Sequence, residues 1–256
     1  ANGGYEIITE AFLPKLVRLA HVNNLLRPIF GEDVFHLVND KIEEFGFNKD
    51  MVKAVVFNKF EGQIDSGKAM MNLMLYVQKL GARILTGAEV FKYEKNAEGL
   101  VKVCIKNPLA DGKCLQFNGK HFVICTNAFT DSLVKNLDIY PARGQVIVTK
   151  PIEGLKLKGT FHYDDGFYYF RDFYGRVLIG GGRNLDMQGE KTLEVKNTKM
   201  ITDKLKLILR EVIIPNNKFE VEYEWAGIMC FGSGTKSPIV KRLEDKIYVA
   251  IRMSGM

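Results

Sequence analysis

The sequence predicts a mixed α/β chain built in two layers. Three observations carry that expectation. A strand–helix–strand pattern fills residues 50–125, a run of short strands separated by turn residues fills 143–182, and 247–256 reads as a strand returning to the first layer. The join falls at Tyr140-Pro141-Ala142-Arg143-Gly144. The expected organisation is a bridging helical and strand segment at 1–60, a first domain at 61–142, a second at 143–246, and the return at 247–256. Composition agrees with a folded globular chain, because 46% hydrophobic and 26% charged residues suit a packed core better than disorder. At 256 residues the chain is long enough to bury that core.

Taken in order, Thr9 to Phe47 reads as mainly helical. Phe12, Leu16, Leu19 and Ala20 form one apolar face, and Val34, Leu37, Val38, Ile42 and Phe45 a second. Lys53–Phe60, rich in β-branched and aromatic residues, reads as a strand. Asp65 or Ser66 caps a helix carrying Met70, Leu73, Met74, Val77 and Leu80, a stripe best explained by core packing, and Gly81 ends it. Strands are expected at Arg83–Leu85, Glu89–Tyr93, Val101–Ile105 and His121–Cys125, with turn residues at Asn96 and Gly99 and a loop at Pro108–Gly112. Residues 145–149, 167–171 and 176–180 look like members of one mainly antiparallel sheet. A helix is expected from Thr198 to Ile213, with Ile201, Leu205, Ile208 and Val212 in register. Residues 219–225 and 247–251 finish as strands.

Several function classes drop out at this level. The formal charge of +6 is spread along the chain without a basic run, so it argues for a solvated surface and poorly for nucleic acid. No apolar run reaches the roughly 18 residues of a membrane span, and no secretory signal opens the chain. Cys104, Cys114, Cys125 and Cys230 are scattered, which fits reduced thiols in a cytoplasmic protein. Cys104 and Cys125 are expected to be buried. His21, His36, His121 and His162 lack the spacing of a metal site, so no metal is expected. Gly62-Gln63-Ile64-Asp65-Ser66-Gly67-Lys68-Ala69 nearly spells a phosphate-binding loop. However, Ala69 replaces the magnesium-binding hydroxyl, and Asp65 would place a carboxylate in the anion cradle.

An ordered set of segments carries a resemblance. It comprises EGQIDSGKA at 61–69, LGARILTGAEV at 80–90, VICTNA at 123–128, PARGQV at 141–146, YYFRDFYGRVLIGG at 168–181, WAGIM at 225–229 and IRMSGM at 251–256. Together they resemble the D-amino-acid-oxidase-like superfamily of FAD-dependent oxidoreductases, which includes glycine oxidase, sarcosine oxidase and 2-hydroxyglutarate dehydrogenase. The resemblance implies a partial FAD-binding Rossmann-like layer plus an antiparallel-sheet substrate domain. It also implies FAD as cofactor and a small-molecule carboxylate as substrate, oxidised at the carbon alpha to the carboxylate.

Residue by residue, the resemblance puts the backbone of Val90 at the adenine edge and the turn Thr126-Asn127-Ala128 beside the cofactor, with Asn127 where a glycine is usual. It runs Arg252-Met253-Ser254-Gly255 along the flavin, with Arg252 available to a substrate carboxylate. Tyr168 falls where a phenol touches substrate. Tyr168 and Phe170 share one sheet face and Tyr169 and Arg171 the other, and the Tyr168 face is expected to look at the flavin. Two departures stand out. Met229 occupies the position where the oxidases carry a carboxylate-binding arginine, leaving Arg171, Arg183 or Arg252 to compensate. The G-x-G-x-x-G fingerprint is not reproduced by Gly180-Gly181-Gly182 or by Gly232-Ser233-Gly234. The sequence therefore reads as part of a longer flavoenzyme that by itself holds FAD weakly; the competing expectation is a non-catalytic binding module derived from the same fold.

Overall fold

The computed structural model describes residues 3–106 and 114–254. In chain order the elements are β1 (Gly4–Ile8), a 3-10 helix (Glu10–Arg18), α1 (Leu19–Phe30), β2 (Phe35–Leu37), α2 (Lys41–Phe45), β3 (Ala54–Asn58) and α3 (Ser66–Lys79). Then come β4 (Val90–Lys95), β5 (Val101–Lys106), β6 (Cys114–Gly119), β7 (Phe122–Ile124), a 3-10 turn (Asn127–Ser132) and β8 (Tyr140–Thr149). They are followed by β9 (Thr160–Tyr163), β10 (Tyr168–Phe173), β11 (Arg176–Gly181), α4 (Lys199–Ile208), β12 (Val221–Phe231), β13 (Ile239–Glu244) and β14 (Ile247–Ile251). The mixed α/β class expected from the sequence is the class observed. The chain divides into two compact units, one of residues 1–64, 144–190 and 195–227, the other of 65–143, 191–194 and 228–256.

The first unit is organised by an eight-stranded sheet in the order β12-β8-β11-β10-β9-β1-β3-β2. Its pairs are mainly antiparallel, with β1 and β9 parallel. One face carries an aromatic ladder set by register: Tyr5 lies opposite Phe161, and Phe161 opposite Phe170. The Phe161 and Phe170 rings stack at 4.7 Å, and Tyr5 stacks on Phe161 at 5.0 Å. Phe45 and Phe47 meet Phe161 edge-on. Such pairs stabilise by about 0.5–1.5 kcal/mol each beyond the area they bury.

Helix α4 covers the same face with Ile201, Leu205 and Ile208, the stripe expected from its spacing. A π-helical turn at Leu209–Ile213 then widens the coil and keeps Leu209, Val212 and Ile213 buried. Fully buried Gln145 ties β8 to the start of this helix. Its Oε1 accepts from Thr198 N at 2.7 Å, while its Nε2 donates to Glu190 Oε2 at 2.9 Å and to Thr198 Oγ1 at 3.0 Å. The buried amide thus has partners at both ends, as a polar group in a core must.

The second unit holds two three-stranded sheets, β13-β14-β7 and β4-β5-β6. Val101, Ile124, Ile247, Val249 and Ile251 form its buried centre. Strand β14 runs parallel to β7, so both strands deliver their carboxyl ends to one edge.

Four expectations are corrected here. The second half of the Thr9–Phe47 stretch is not one helix but β2 followed by the five-residue α2. Phe35–Leu37 pairs with β3, and sheet pairing overrides the local helical spacing. Arg83–Leu85 forms no strand. Cys125 is exposed, because β7 ends at Ile124 and the chain turns away. Helix α3 is capped as expected, with Asp65 Oδ1 accepting from Lys68 N at 3.0 Å, yet none of its residues is buried. Met70, Leu73 and Leu80 stay more than half exposed among the described residues, so core packing does not account for that stripe.

Candidate functional site

The polar cluster of the second unit forms at the shared carboxyl edge of β7 and β14, the edge where open α/β sheets bind ligands. Two chain turns meet there. Thr126 and Asn127 follow β7; Arg252, Met253 and Ser254 follow β14. The Asn127 side chain joins them, its Oδ1 accepting from Arg252 N at 3.0 Å and from Met253 N at 3.2 Å. Thr130, fully buried, donates to the Asn127 carbonyl at 2.8 Å and lies 3.0 Å from Thr126 Oγ1. Ser254 N donates to the Cys230 carbonyl at 3.1 Å, which fastens the second turn to β12. Burial of Cys230 pushes its thiol pKa up, so it stays a neutral wall of this turn.

The backbone here is unusual. Asn127, Arg252 and Ser254 have φ of 46°, 63° and 61°, a left-handed region that non-glycine residues enter at a cost of about 1–3 kcal/mol each. Asparagine tolerates that region, and its short amide is also what bridges the turns. Strain gathered on two adjoining turns, held by dedicated hydrogen bonds, is characteristic of ligand-facing segments.

Arg252 has a different position from the one expected of a substrate anchor. The residue is 6% exposed, and its guanidinium faces inward. Nε donates to the Ser237 carbonyl at 2.8 Å, and Nη1 donates to the Asp138 carbonyl at 3.0 Å and to Asp138 Oδ2 at 2.7 Å. Asp138 in turn accepts from Ser233 N at 2.9 Å and from Ser233 Oγ at 2.6 Å. The hydroxyl of Ser233, then its N–H, and then the Arg252 charge hold the Asp138 carboxyl below the usual carboxylate range. A Cβ at Gly232 would sit 2.4 Å from Arg252 Nη1, so only glycine lets the strand approach this ion pair. Arg252 therefore acts as a clamp within its own turn.

The other expected residues are distributed as follows. Ala128 is buried behind the turn, whereas Thr126 and Met253 are exposed on it. Gly255 lies outside the described residues. Val90 opens β4 in the other sheet of the unit, opposite Ile105, next to a register shift. Tyr168, in the first unit, is 1% exposed and packs with Phe170 in the core beneath α4. Tyr169 and Arg171 occupy the side away from that core, so the Tyr168 face is the one that α4 covers. Alternation pairs side chains correctly but does not say which pair a helix will cover. Arg171 Nη1 donates to the Ile64 carbonyl at 2.7 Å, and its guanidinium lies 5.3 Å from the Phe173 ring centroid.

Asp138, Ser233 and Ser237 were not legible as site residues. Gly232 and Ser233 stood out only as part of a failed dinucleotide fingerprint, and a lone aspartate before a strand carries no signal. Among the described residues no group of three or more His, Cys, Asp or Glu side chains is arranged to hold a metal ion. Among the described residues no helix is long and apolar enough to cross a membrane.

The fold has many solved counterparts. L-proline dehydrogenase from P. horikoshii superposes with a TM-score of 0.72 at 18% identity, over 99% of this chain and 67% of that one. Glycine oxidase from Geobacillus kaustophilus gives 0.74 at 16%, over 99% and 65%. FAD-bound L-alpha-glycerophosphate oxidase from Mycoplasma pneumoniae gives 0.72 at 18%, over 98% and 67%. The chain thus spans about two thirds of the length of these structures. None of the curated proteins compared with it matches in sequence. Residues 13–256 match the family described as FAD dependent oxidoreductase, and the chain belongs to that family. FAD is the family's cofactor.

Proposed function

We propose that the protein is an FAD-dependent dehydrogenase or oxidase that removes a hydride from the carbon alpha to a carboxylate in an amino acid or 2-hydroxy acid. The observation carrying this reading is the pair of strained turns joined by Asn127 at the carboxyl edge of β7 and β14. Apart from Met253, the turns present small side chains and backbone, which suits close approach of a planar ring. The backbones of Thr126, Asn127, Met253 and Ser254 would hold the flavin there, with Ala128 supporting the first turn from behind. Bound FAD supplies the two-electron acceptor.

The residues of this chain then have to bind and orient the substrate. Arg252 fixes the second turn through Asp138 and is a positioning residue. With Met229 apolar and Arg252 turned inward, Arg171 and Arg183 remain of the three arginines expected to compensate as carboxylate anchor. The four cysteines form no disulfide with one another, which suits a cytoplasmic enzyme. A second reading, a binding module without redox chemistry, draws its support from the same apolar Met229.

The test is spectroscopic. FAD added to the purified protein should lose fluorescence on binding, and the loss should be weakened in Asn127→Ala. Anaerobic bleaching of the bound flavin across a panel of amino and hydroxy acids would name the substrate. Arg171→Met or Arg183→Met should weaken carboxylate binding by about 1.5–3 kcal/mol, tenfold or more in affinity. If neither this chain nor a longer protein that carries it takes up FAD, only the binding-module reading remains.

A further inference from the structure

The second unit carries two cysteines on adjoining strands. Cys104 lies opposite Gln116 and Cys114 opposite Lys106, so both thiols rise from one face of the β5–β6 pair as diagonal neighbours. That face points away from the core, because Val101 and Val103 occupy the inner one. Cys104 is nevertheless only 5% exposed, while Cys114 is half-buried. The Cys104 thiol donates a hydrogen bond to the Cys114 sulfur, and Gln116 Nε2 donates to the same sulfur at 3.6 Å.

The charged neighbours on this face are paired with one another. Lys92, opposite Cys104 on β4, and Lys102 both pair with Glu94, and Lys106 pairs with Glu89 at 2.6 Å. The Gln116 amide, then the Cys104 thiol and then the Lys102 charge hold the Cys114 thiol below its ordinary pKa, against the effect of burial. Donation to Cys114, and then burial, push the Cys104 thiol up. The two sulfurs therefore differ in kind. The outer one is the nucleophile, and the inner one is a protonated thiol in contact with it.

We propose that Cys114 and Cys104 form a modification site, a dithiol that hydrogen peroxide converts to a disulfide joining β5 to β6. The Cys114 thiolate attacks one peroxide oxygen, so an S–O bond forms, the O–O bond breaks, and the departing hydroxide takes a proton and leaves as water. Cys104 then attacks the sulfenic sulfur and gives up its proton. The S–S bond forms as the S–O bond breaks, and a second water leaves. Each sulfur is oxidised by one electron, and the peroxide is reduced to the two waters. Strand β6 is the edge of its sheet, so it can adjust to the bond without disturbing a further strand. Every group involved lies on this chain, and none of the chemistry depends on flavin.

Mass spectrometry of the purified protein, treated briefly with equimolar hydrogen peroxide and digested with trypsin without reductant, tests the site. The peptides Val103–Lys106 and Cys114–Lys120 should appear joined, and dithiothreitol should separate them. Limiting iodoacetamide should label Cys114 before Cys125, although Cys125 is the more exposed thiol, and urea should abolish that order. Cys104→Ser should halt the reaction at a sulfenic acid on Cys114 that dimedone traps, and Cys114→Ser should leave Cys104 unmodified. Gln116→Ala, which removes the amide donor, should slow oxidation about threefold near neutral pH. Absence of the joined peptides, a bond to Cys125 or Cys230 in their place, or labelling of Cys125 first would each overturn the proposal. The peptide map and the labelling order need no variant, and neither bears on whether the protein takes up FAD.

Discussion

Asn127 shows how one side chain can hold a site together. It accepts two backbone N–H groups from the turn after β14 while itself occupying a left-handed conformation at the end of β7. Replacing it by alanine removes the acceptor and keeps the strained backbone. Asn127→Ala should therefore lose about 1–3 kcal/mol in urea unfolding. Asn127→Asp, which keeps an oxygen in place, should stay close to the parent. Equal stability of all three proteins would show that the bridge contributes nothing. Part of this was legible in the sequence: Thr126-Asn127-Ala128 stands out as a turn after a buried strand. The partner was not, because the contact spans 125 residues and no local pattern encodes it. Arg252 makes the same point from the other side. Its charge singled it out, and only the fold shows that Asp138 and two carbonyls already occupy its guanidinium.

At the scale of elements, strand pairing decides what periodicity leaves open. Stretch 34–45 has helical spacing, but Phe35–Leu37 hydrogen-bonds to β3, and only Lys41–Phe45 coils. Strands β1 and β9 lie in parallel register and set Glu6 beside His162. The hydrogen bond that His162 donates to Glu6 raises the His162 pKa above its ordinary 6.5, against a smaller opposing effect of burial, and the Glu6 and Glu61 charges raise it further. A raised histidine pKa contributes stability that is complete below the unfolded value and is lost as pH rises through the folded value. The stability of the parent relative to His162→Gln should accordingly fall as pH rises from about 6 through neutrality. Thermal unfolding in a pH series checks this, and a flat difference would remove the pair as a source of pH dependence.

Over the whole molecule, one feature stands apart from the packed centres. Helix α3 displays Met70, Leu73 and Leu80 without burying any residue, and an apolar stripe of that kind favours association. Leu73→Lys with Leu80→Glu should change unfolding stability by no more than about 0.5 kcal/mol per site, while reducing self-association in sedimentation. A large loss of stability would mean that the stripe is packed in solution. By itself the sequence determined the mixed α/β class, the α4 stripe, a cap at Asp65 or Ser66 and the family, because each rests on local spacing or on ordered motifs. Tertiary structure alone decided that Tyr168 faces the core and Tyr169 the open side, that Arg252 turns inward onto Asp138, and that Asn127 bridges to the turn after β14. The physical reason is common to all three. Alternation and charge fix what a side chain can do, but which face is covered and which charge is paired depend on residues far away along the chain.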